Sequence, residues 1–317
     1  MGIMYFKDRV QVSRSLNATE CQEINKHFTE NNEKIFRLYC FRGNNDFSFL
    51  KNIKNVKKIE INYSKIDDFN FLRYIPELEY LDINEIDGNP DILAIGELYS
   101  LKTLNLNLRK STKQIDLACL KNLRNIERLY FKGKFRKNSL HIDFSKLVSF
   151  GPQMNCINLS EINNFNRLLT LQLLDQKIDT LNSIENMIHL QNILINNIKI
   201  NDSKILSPIF LLNELENLSI SYVKTIIDFT FIQKNETIKN LYLWSLNGFE
   251  TLNGIEHIKS LEKYIQHGDH KNKNTIDFSG LLKLKKLKEV EVKIGKMNKD
   301  AEEKLKRILE KIKNSEY

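Results

Sequence analysis

Apolar residues recur along the chain in the form Leu-x-x-Leu-x-Leu, and twelve copies of this phrase can be aligned. The central residues of successive copies lie 21 to 26 residues apart. Self-similarity at such a period predicts a solenoid, in which each short unit packs on its neighbours. The central residues are Leu38, Ile59, Leu81, Leu104, Leu129, Phe150, Leu171, Ile193, Leu218, Leu241, Tyr264 and Val290.

Within one copy, Leu104 and Leu106 alternate with Asn105 and Asn107. A period of two predicts a β-strand with one buried face. Successive copies then place their strands side by side in a curved parallel sheet, with the polar residues outward on its concave side. A second phrase returns the chain through a short helical turn, in which Asp, Ser or Thr serves as the cap. This phrase begins at Ile115, Ile142, Ile178, Ile227 and Ile276.

The start of such a stack needs a cover, because an open end exposes apolar residues and an unpaired strand edge. Thr19 and Gln22 have the spacing of a capping box, which predicts a helix that reaches about Asn31. Ile24 and Phe28 lie one turn apart in that helix. We expect their side chains to cover the first repeat.

The other end of the chain also predicts a covering helix. Asn298 precedes a segment whose apolar residues form one helical stripe. That stripe contains Leu305, Ile308, Leu309 and Ile312. No Pro-rich or Gly-rich linker interrupts the chain, so we expect one continuous body. Its predicted parts are an N-terminal cap over 1–34, a repeat array over 35–297 and a capping helix over 298–317.

These phrases resemble the leucine-rich-repeat superfamily, and specifically its bacterial, internalin-like class of roughly 22-residue repeats, over residues 35 to 295. The resemblance implies an α/β solenoid with a parallel sheet on the concave side, short helical or irregular convex segments and helical caps. Family members commonly carry a ladder Asn five residues after the central leucine. Here Asn155 fits and Gln176 is a substitute, so we expect irregular turns elsewhere. The other equivalent positions hold Ser64, Ile86, Arg109, Lys134, Ile198, Val223 and Leu246.

An outward-facing aromatic group is the first candidate for partner binding. Trp244 is the only tryptophan, and Tyr242 and Tyr222 lie near it in the predicted register. Amphipathic rings of this kind are favoured anchors of protein interfaces. The alternative interpretation is that a tyrosine on an exposed strand merely suits β geometry. A register slip of one residue would instead bury Trp244 in the core.

Further candidates lie on the earlier strands. Tyr39 and Tyr80, with Phe41, form a second aromatic group, and Asp82 adds a carboxylate beside Tyr80. At mid-array, one strand carries a basic and aromatic patch of Arg128, Tyr130 and Lys132. Further along, Leu174 and Leu194 add apolar surface.

The positive charge of the chain invites a nucleic-acid interpretation. Residues 281 to 317 hold twelve Lys or Arg against seven Asp or Glu, so +5 of the net +8 lies at the C-terminal end. A nucleic-acid groove concentrates its basic residues along the binding surface. A solvated helix face explains this charge better, and nucleic-acid binding is retained only as an alternative.

The motifs of catalysis and cofactor binding are missing from the sequence. His267, Asp269 and His270 could offer two imidazoles and a carboxylate to a metal, but a polar turn that contains Gly268 is the better interpretation of this segment. There is no nucleophile elbow, phosphate-binding loop or His-Glu-x-x-His helix. We therefore expect neither an enzyme nor a cofactor, and keep a metal-dependent enzyme at these histidines as the weakest alternative.

The sequence favours a cytoplasmic protein that acts by binding another protein. Residues 1–10 lack the apolar stretch of a secretion signal, and no window has the ~18 apolar residues of a membrane span. Four widely spaced cysteines are typical of reduced thiols. These are Cys21, Cys40, Cys119 and Cys156. A stoichiometric inhibitor, an adaptor or a bacterial immunity protein against a toxin would be specific versions of this function.

Overall fold

The computed structural model divides the chain into two compact units, Met1–Met154 and Asn155–Tyr317. In each unit the order of strands in the sheet is their order along the chain. The predicted boundaries after residues 34 and 297 remain predictions. Asn155, Cys156 and the turn phrase at Ile142 lie outside the described residues. The structure describes residues 2–31, 33–41, 46–136, 144–153, 159–162 and 165–314.

The first unit begins with an antiparallel hairpin of β1 and β2, followed by helix α1 (Ala18–Glu30). From β2 onward, each described strand pairs in parallel with the next. Short 3₁₀ helices carry the chain between several of these strands. The strands are β1 (Ile3–Tyr5), β2 (Arg9–Val12), β3 (Ile35–Tyr39), β4 (Lys58–Asn62), β5 (Tyr80–Asn84), β6 (Thr103–Asn107), β7 (Arg128–Lys132) and β8 (Ser149–Gln153). The 3₁₀ helices span Ser48–Asn52, Asn70–Tyr74, Leu93–Glu97 and Leu117–Asn122.

The second unit repeats this arrangement and ends in helix α2 (Lys299–Asn314). All of its described strand pairs are parallel. The strands are β9 (Thr170–Leu174), β10 (Asn192–Asn196), β11 (Asn217–Ser221), β12 (Asn240–Trp244), β13 (Lys263–Gly268) and β14 (Glu289–Ile294). The 3₁₀ helices span Leu159–Ile162, Ile184–Asn186, Ser203–Leu211, Ile255–His257 and Ser279–Lys283.

The alternation of apolar and polar residues sets the two faces of each strand. On β6, Leu104 and Leu106 are buried, whereas Asn105 and Asn107 are half-buried on the other face. The same in-and-out pattern recurs on β5, β9 and β10. The predicted parallel sheet with one core face is thereby confirmed. Burial of the leucine and isoleucine side chains, at roughly 1.5–3 kcal/mol each, is the main force that joins one repeat to the next.

The predicted register is confirmed from β4 onward within each unit and is wrong at β3. Ile59 pairs with Leu81, but its partner on β3 is Phe36 and not Leu38. Both β3 residues are apolar and fully buried, so the pattern alone did not distinguish them. The error is two residues, and a two-residue shift leaves every side chain on its predicted face.

The predicted first helix is present, but its capping box is wrong. The cap is Asn17, whose side chain accepts a hydrogen bond from the Glu20 backbone at 2.9 Å, while the Glu20 carboxylate accepts one from the Asn17 backbone at 3.0 Å. Asn and Glu at this spacing satisfy two helix N–H groups reciprocally. Ile24 and Phe28 are fully buried, as predicted. The hairpin before the helix was not predicted.

The predicted C-terminal helix is confirmed. Asn298 Oδ1 accepts a hydrogen bond from the Ala301 backbone at 2.9 Å, which caps α2. Leu305 and Ile312, one from each end of the predicted stripe, are buried. Helix α2 therefore packs its apolar side against the last repeat, where it contacts the 3₁₀ helix Ser279–Lys283.

A left-handed residue follows most described strands and replaces the missing Asn ladder. Asn197 and Tyr222 have φ values of 50° and 57°. Their backbone N–H groups donate to the last carbonyl of the next strand, at 2.9 Å in both cases. Several ladder positions hold apolar side chains, and Ile198, Val223 and Leu246 are buried there. Ser64 is a polar exception, whose hydroxyl accepts a hydrogen bond from the Phe41 backbone at 3.1 Å. The backbone turn therefore continues the hydrogen-bond ladder, and these turns are regular instead of irregular.

Candidate functional site

The outward face of the second unit consists of three rows of side chains that run across its strands. The rows follow directly from the paired residues of the sheet. The first row holds Thr170, Asn192, Asn217, Asn240, Lys263 and Glu289. The middle row holds Gln172, Leu194, Ser219, Tyr242, Ile265 and Glu291. The rim row, at the ends of the strands, holds Leu174, Asn196, Ser221, Trp244, His267 and Lys293.

Trp244 lies on the outward face, as predicted. Its side chain is 46% exposed, and its ring packs edge-on against His267 with 5.2 Å between centroids. Tyr222, which follows β11, is 50% exposed, and its backbone N–H donates to the Trp244 carbonyl. Trp244 and Tyr222 thus form an exposed aromatic pair on adjacent repeats, which we call the aromatic rim.

Charged side chains border the aromatic rim. His267 Nε2 lies 3.1 Å from Glu291 Oε1, and Lys293 forms an ion pair with the same carboxylate. The hydrogen bond from Lys293 is the main reason why the pKa of Glu291 lies below its usual range. His267 is therefore held against Glu291 while its ring supports Trp244.

Polar and apolar rows run beside the aromatic rim. In the first row, Asn240 donates to Asn217 at 2.7 Å, and Asn217 donates to Asn192 at 2.8 Å. In the middle row, Leu194 and Tyr242 are half-buried. The face thus combines rings, aliphatic surface and amide groups, and it carries ionic groups mainly on its last strands. This composition is typical of the core of a protein interface, where charge is depleted and aromatic residues are enriched.

Two half-buried carboxylates, Glu60 on β4 and Asp82 on β5, lie on the outward face of the first unit. Glu60 accepts hydrogen bonds from Arg9 at 3.0 Å and from Arg37 at 2.6 Å. Burial raises the pKa of Glu60, although the charge of Arg9 opposes this shift. Glu60 lies opposite Asp82 on the next strand.

Asp82 is held by neutral groups. Its carboxylate accepts hydrogen bonds from the Tyr80 hydroxyl at 3.1 Å, from Asn105 at 3.2 Å and from Asn84. Burial raises the pKa of this carboxyl above its usual value, and it raises the pKa of the Tyr80 hydroxyl as well. We call Asp82 with these three donors the Asp82 cluster.

The predicted aromatic group at the start of the array is only partly assembled. Tyr39 is half-buried on the outward face and packs edge-on against Tyr63, with 5.6 Å between ring centroids. Phe41 belongs to the core and is buried. The left-handed turn at Cys40 breaks the alternation of the strand, so Phe41 points inward. Tyr63, which the alternation could not place, is 46% exposed.

The predicted patch at mid-array is carried by one strand, β7. Arg128 is exposed, whereas Tyr130 and Lys132 are half-buried. The Tyr130 hydroxyl forms a 2.6 Å hydrogen bond with Ser149 Oγ on the next strand. Partner binding by these residues, as by the other candidates, remains a prediction.

The two histidines of the candidate metal group contact different partners. His267 contacts Glu291, as described above. His270 is buried, with Nδ1 at 3.0 Å from the Leu246 carbonyl and Nε2 at 3.5 Å from Gln266. Within the described ranges, no group of three His, Cys, Asp or Glu side chains is placed to hold a metal ion.

Part of the basic charge near the C-terminus is paired with acidic neighbours. Lys283 pairs with Glu256 at 2.9 Å, and Lys288 pairs with Glu262 at 2.8 Å. Lys293 and Arg307 pair with Glu291 and Glu303, so opposite charges lie beside these bases, whereas phosphate recognition favours uninterrupted positive charge. In the part of the chain that the structure describes, no helix has the length and apolar character needed to cross a membrane.

Comparisons with known proteins bear on this fold. No protein-family model matches the chain. A leucine-rich repeat-containing protein of Amsacta moorei entomopoxvirus is 28% identical over 235 residues, which cover 62% of this chain and 47% of the viral protein. The chain therefore spans about half the length of that relative.

Solved structures resemble the chain over most of its length. An internalin, InlF, from Listeria monocytogenes gives a TM-score of 0.53 at 17% identity and covers 92% of this chain and 87% of its own. The chain has a leucine-rich-repeat fold. The plant peptide hormone receptor RGFR1, in complex with RGF2, gives a TM-score of 0.52 at 14% identity, over 94% of this leucine-rich-repeat chain and 53% of the receptor.

At 17% and 14% identity these likenesses show the fold alone, and one fold can host unrelated functions. The curated relative described above is viral, whereas the repeat motifs resemble those of a bacterial class.

Proposed function

We propose that this leucine-rich-repeat chain binds another protein through the outward face of its second unit, with Trp244 as the anchor. The observation that carries the proposal is the aromatic rim: Trp244 and Tyr222 leave about half of their side-chain surface exposed on adjacent repeats. Removing large rings from water upon binding is strongly favourable, and tryptophan and tyrosine are enriched among binding hot spots. Tyr242 and the amide row beside the rim would supply adaptable contacts.

A stoichiometric inhibitor or adaptor is the specific version of this proposal that we favour, with an immunity protein against a toxin as one form. The binding face is the whole active part in such a protein, since occlusion of the partner is sufficient. We also propose that the chain acts in the cytoplasm. Among the described residues, Cys21, Cys40 and Cys119 are free thiols, as expected in a reducing compartment.

The proposal is tested with the tagged full chain as bait in extracts of its source cells. Trp244→Ala is expected to weaken the captured complex by roughly 2 kcal/mol, or about 30-fold in affinity, as loss of a hot spot does. Leu211→Ala is the matched control, because Leu211 is 64% exposed but lies in a 3₁₀ segment between strands. If both variants capture the same partner as well as the original chain does, the assignment of Trp244 is wrong.

A further inference from the structure

The Asp82 carboxylate is a negative charge without a cation beside it. It lies half-buried at the centre of β5 on the outward face of the first unit. All three of its hydrogen bonds come from neutral groups, namely the Tyr80 hydroxyl and the amides of Asn84 and Asn105. Within the described ranges, no Lys, Arg or His lies within ion-pairing distance of it.

The neighbouring carboxylate, Glu60, is compensated by cations on the same face. Glu60 lies directly opposite Asp82 in the sheet and receives both Arg9 and Arg37. Arg9 also pairs with Asp8. These three carboxylates and two guanidinium groups leave one negative charge in excess, and the geometry places it at Asp82. Like charges on opposite strand residues destabilise a sheet unless a counterion joins them.

The Asp82 cluster also has more acceptors than donors. Asn105 gives its amide hydrogen to Asp82, while its own Oδ1 atom is buried without a hydrogen-bond partner. Asn84 Oδ1 accepts a hydrogen bond from Asn107 at 3.3 Å. The amide groups of Asn84 and Asn105 already donate to Asp82. A group that brings donors and positive charge would complete this arrangement, whereas an anion or an acceptor would not.

We propose that Asp82 receives an arginine side chain of a protein partner. This inference rests on the proposed function in one respect, namely that the ligand is a protein. The Asp82 carboxylate keeps one acceptor site, on Oδ1, because Oδ2 already accepts from Tyr80 and Asn105 and Oδ1 from Asn84. A guanidinium group can donate one charge-assisted hydrogen bond there and stack on a neighbouring aromatic ring, which a lysine ammonium does less well. Tyr80, two residues before Asp82 on the same face, offers such a ring.

The surrounding charge indicates a single basic side chain in place of a basic stretch. Arg128 is exposed two strands away on the same face and has no ion-pair partner within the described ranges. The chain as a whole carries a net charge of +8. A polybasic segment would be repelled by both, so the partner is expected to present one arginine among neutral or acidic residues.

The test uses N-acetyl-arginine amide as the probe and N-acetyl-citrulline amide as its neutral analogue of nearly the same shape. The probes are titrated to about 50 mM into the full ¹⁵N-labelled chain, since one charge-assisted contact gives a Kd on the order of 10 mM. The side-chain amide signals of Asn84 and Asn105 report directly on Asp82. We expect saturable shifts of these signals with the arginine probe and none with the citrulline probe.

Three variants complete the design. Asp82→Asn should weaken the response at least tenfold, and Tyr80→Phe, which keeps the ring, should retain it. Asp87→Asn is the matched control, because Asp87 is an exposed carboxylate that pairs with Lys110 outside the Asp82 cluster. Equal shifts with both probes on the original chain, or no shift at all, would overturn the inference, and neither result depends on how a variant folds.

This experiment can fail independently of the proposed function. The probe shifts are read without any partner, whereas the Trp244→Ala comparison reads capture of the partner itself. Loss of capture by Trp244→Ala, together with silent Asn84 and Asn105 signals, would retain protein binding and reject the arginine site. If the probe shifts are saturable but Trp244→Ala captures the partner as well as the original chain does, the arginine site is retained and Trp244 is rejected as the anchor.

Discussion

The two units present different chemistry from the same positions of the repeat. In the middle of the outward face, the first unit carries Arg37, Glu60 and Asp82 on β3, β4 and β5. The corresponding row of the second unit carries Leu194, Ser219 and Tyr242 on β10, β11 and β12. The backbone pairing is parallel and in register in both cases. A charged, hydrogen-bonded face and a largely uncharged aromatic face can therefore be built on one scaffold.

This difference shows which positions of a repeat are free to specialise. The inward residues and the left-handed turns make the core and the ladder, so they fix the fold. The outward residues make neither, and their side chains can change with little effect on the strand. The second unit even places a polar network among its inward residues. There the Tyr264 hydroxyl donates to Gln266, which in turn contacts the buried ring of His270.

The largest effect is expected from breaking that inward network. Gln266→Leu would leave the Tyr264 hydroxyl and His270 Nε2 without partners in the core of the second unit. Leaving two such buried groups unsatisfied costs on the order of 3 kcal/mol in the free energy of unfolding. Urea unfolding of the full chain measures this cost.

A second substitution separates the network from simple packing. Tyr264→Phe, added to Gln266→Leu, removes one of the unsatisfied groups and should recover about 1 kcal/mol. If Gln266→Leu alone costs less than about 0.5 kcal/mol, which is typical of a surface site, the inward polar groups of the second unit contribute nothing.

A smaller effect, and one that depends on pH, is expected at the outward face of the first unit. The pKa of Asp82 is raised by burial above its reference value of 3.8, so its ionised form is disfavoured in the folded state. The resulting loss of stability sets in as pH rises from about 4 through the folded pKa. Asp82→Asn removes the charge, so the free energy of unfolding of this variant should rise relative to that of the original chain between pH 4 and pH 7.

Glu79, which directly precedes β5, should show the opposite dependence of stability on pH. Hydrogen bonds from Lys102 and Lys57 lower its pKa from 4.5 to about 2. Its contribution is present above pH 4.5 and is lost as pH falls towards 2. Glu79→Gln should therefore cost roughly 0.5 kcal/mol at pH 7, after screening by solvent, and nothing near pH 2. Chemical unfolding of both variants between pH 2 and pH 7 measures these effects. If the stability changes of Asp82→Asn and Glu79→Gln vary with pH in the same direction, the interpretation is wrong.

The fold was predictable from the sequence because the repeat signal is averaged over many copies. Leu104 and Leu106 alternate with Asn105 and Asn107, and the same pattern recurs often enough to fix the strand faces. The signal is weaker at the first repeat, where Phe36 and Leu38 are both apolar and either could be central. The hairpin of β1 and β2 was missed because it occurs once and lacks the repeat phrase.

The candidate site was predictable only in part, for a different physical reason. Alternation predicted that Trp244 and Tyr242 face outward, and the structure places them there. Alternation ends where a strand ends, however, and the residue that follows is left-handed. It therefore placed Phe41 on the surface, although that side chain is buried. The hydrogen bond that joins Asp82 to Asn105 connects residues 23 positions apart on adjacent strands, and only the pairing of the sheet reveals it.

The smallest effect should come from the left-handed tyrosines, which differ between the two units. Tyr63 and Tyr222 have φ values of 54° and 57°, a conformation that costs an L-residue roughly 1–2 kcal/mol and that Asn tolerates better. Tyr63 recovers part of this cost through its ring contact with Tyr39. No ring packs against Tyr222 within the described residues. Tyr222→Asn should therefore stabilise the chain by about 0.5 kcal/mol, whereas Tyr63→Asn should be neutral or destabilising.

Urea unfolding midpoints of the two variants measure this difference in stability. Capture of the partner then tests whether Tyr222 serves binding. If Tyr222 is retained for binding, Tyr222→Asn should raise the midpoint and weaken capture together, because strain is commonly kept where it serves function. Equal destabilisation by both substitutions would show that Tyr222 packs as Tyr63 does. The exposed ring of the second unit would then be a structural contact, and the contrast between the two faces would rest on Trp244 alone.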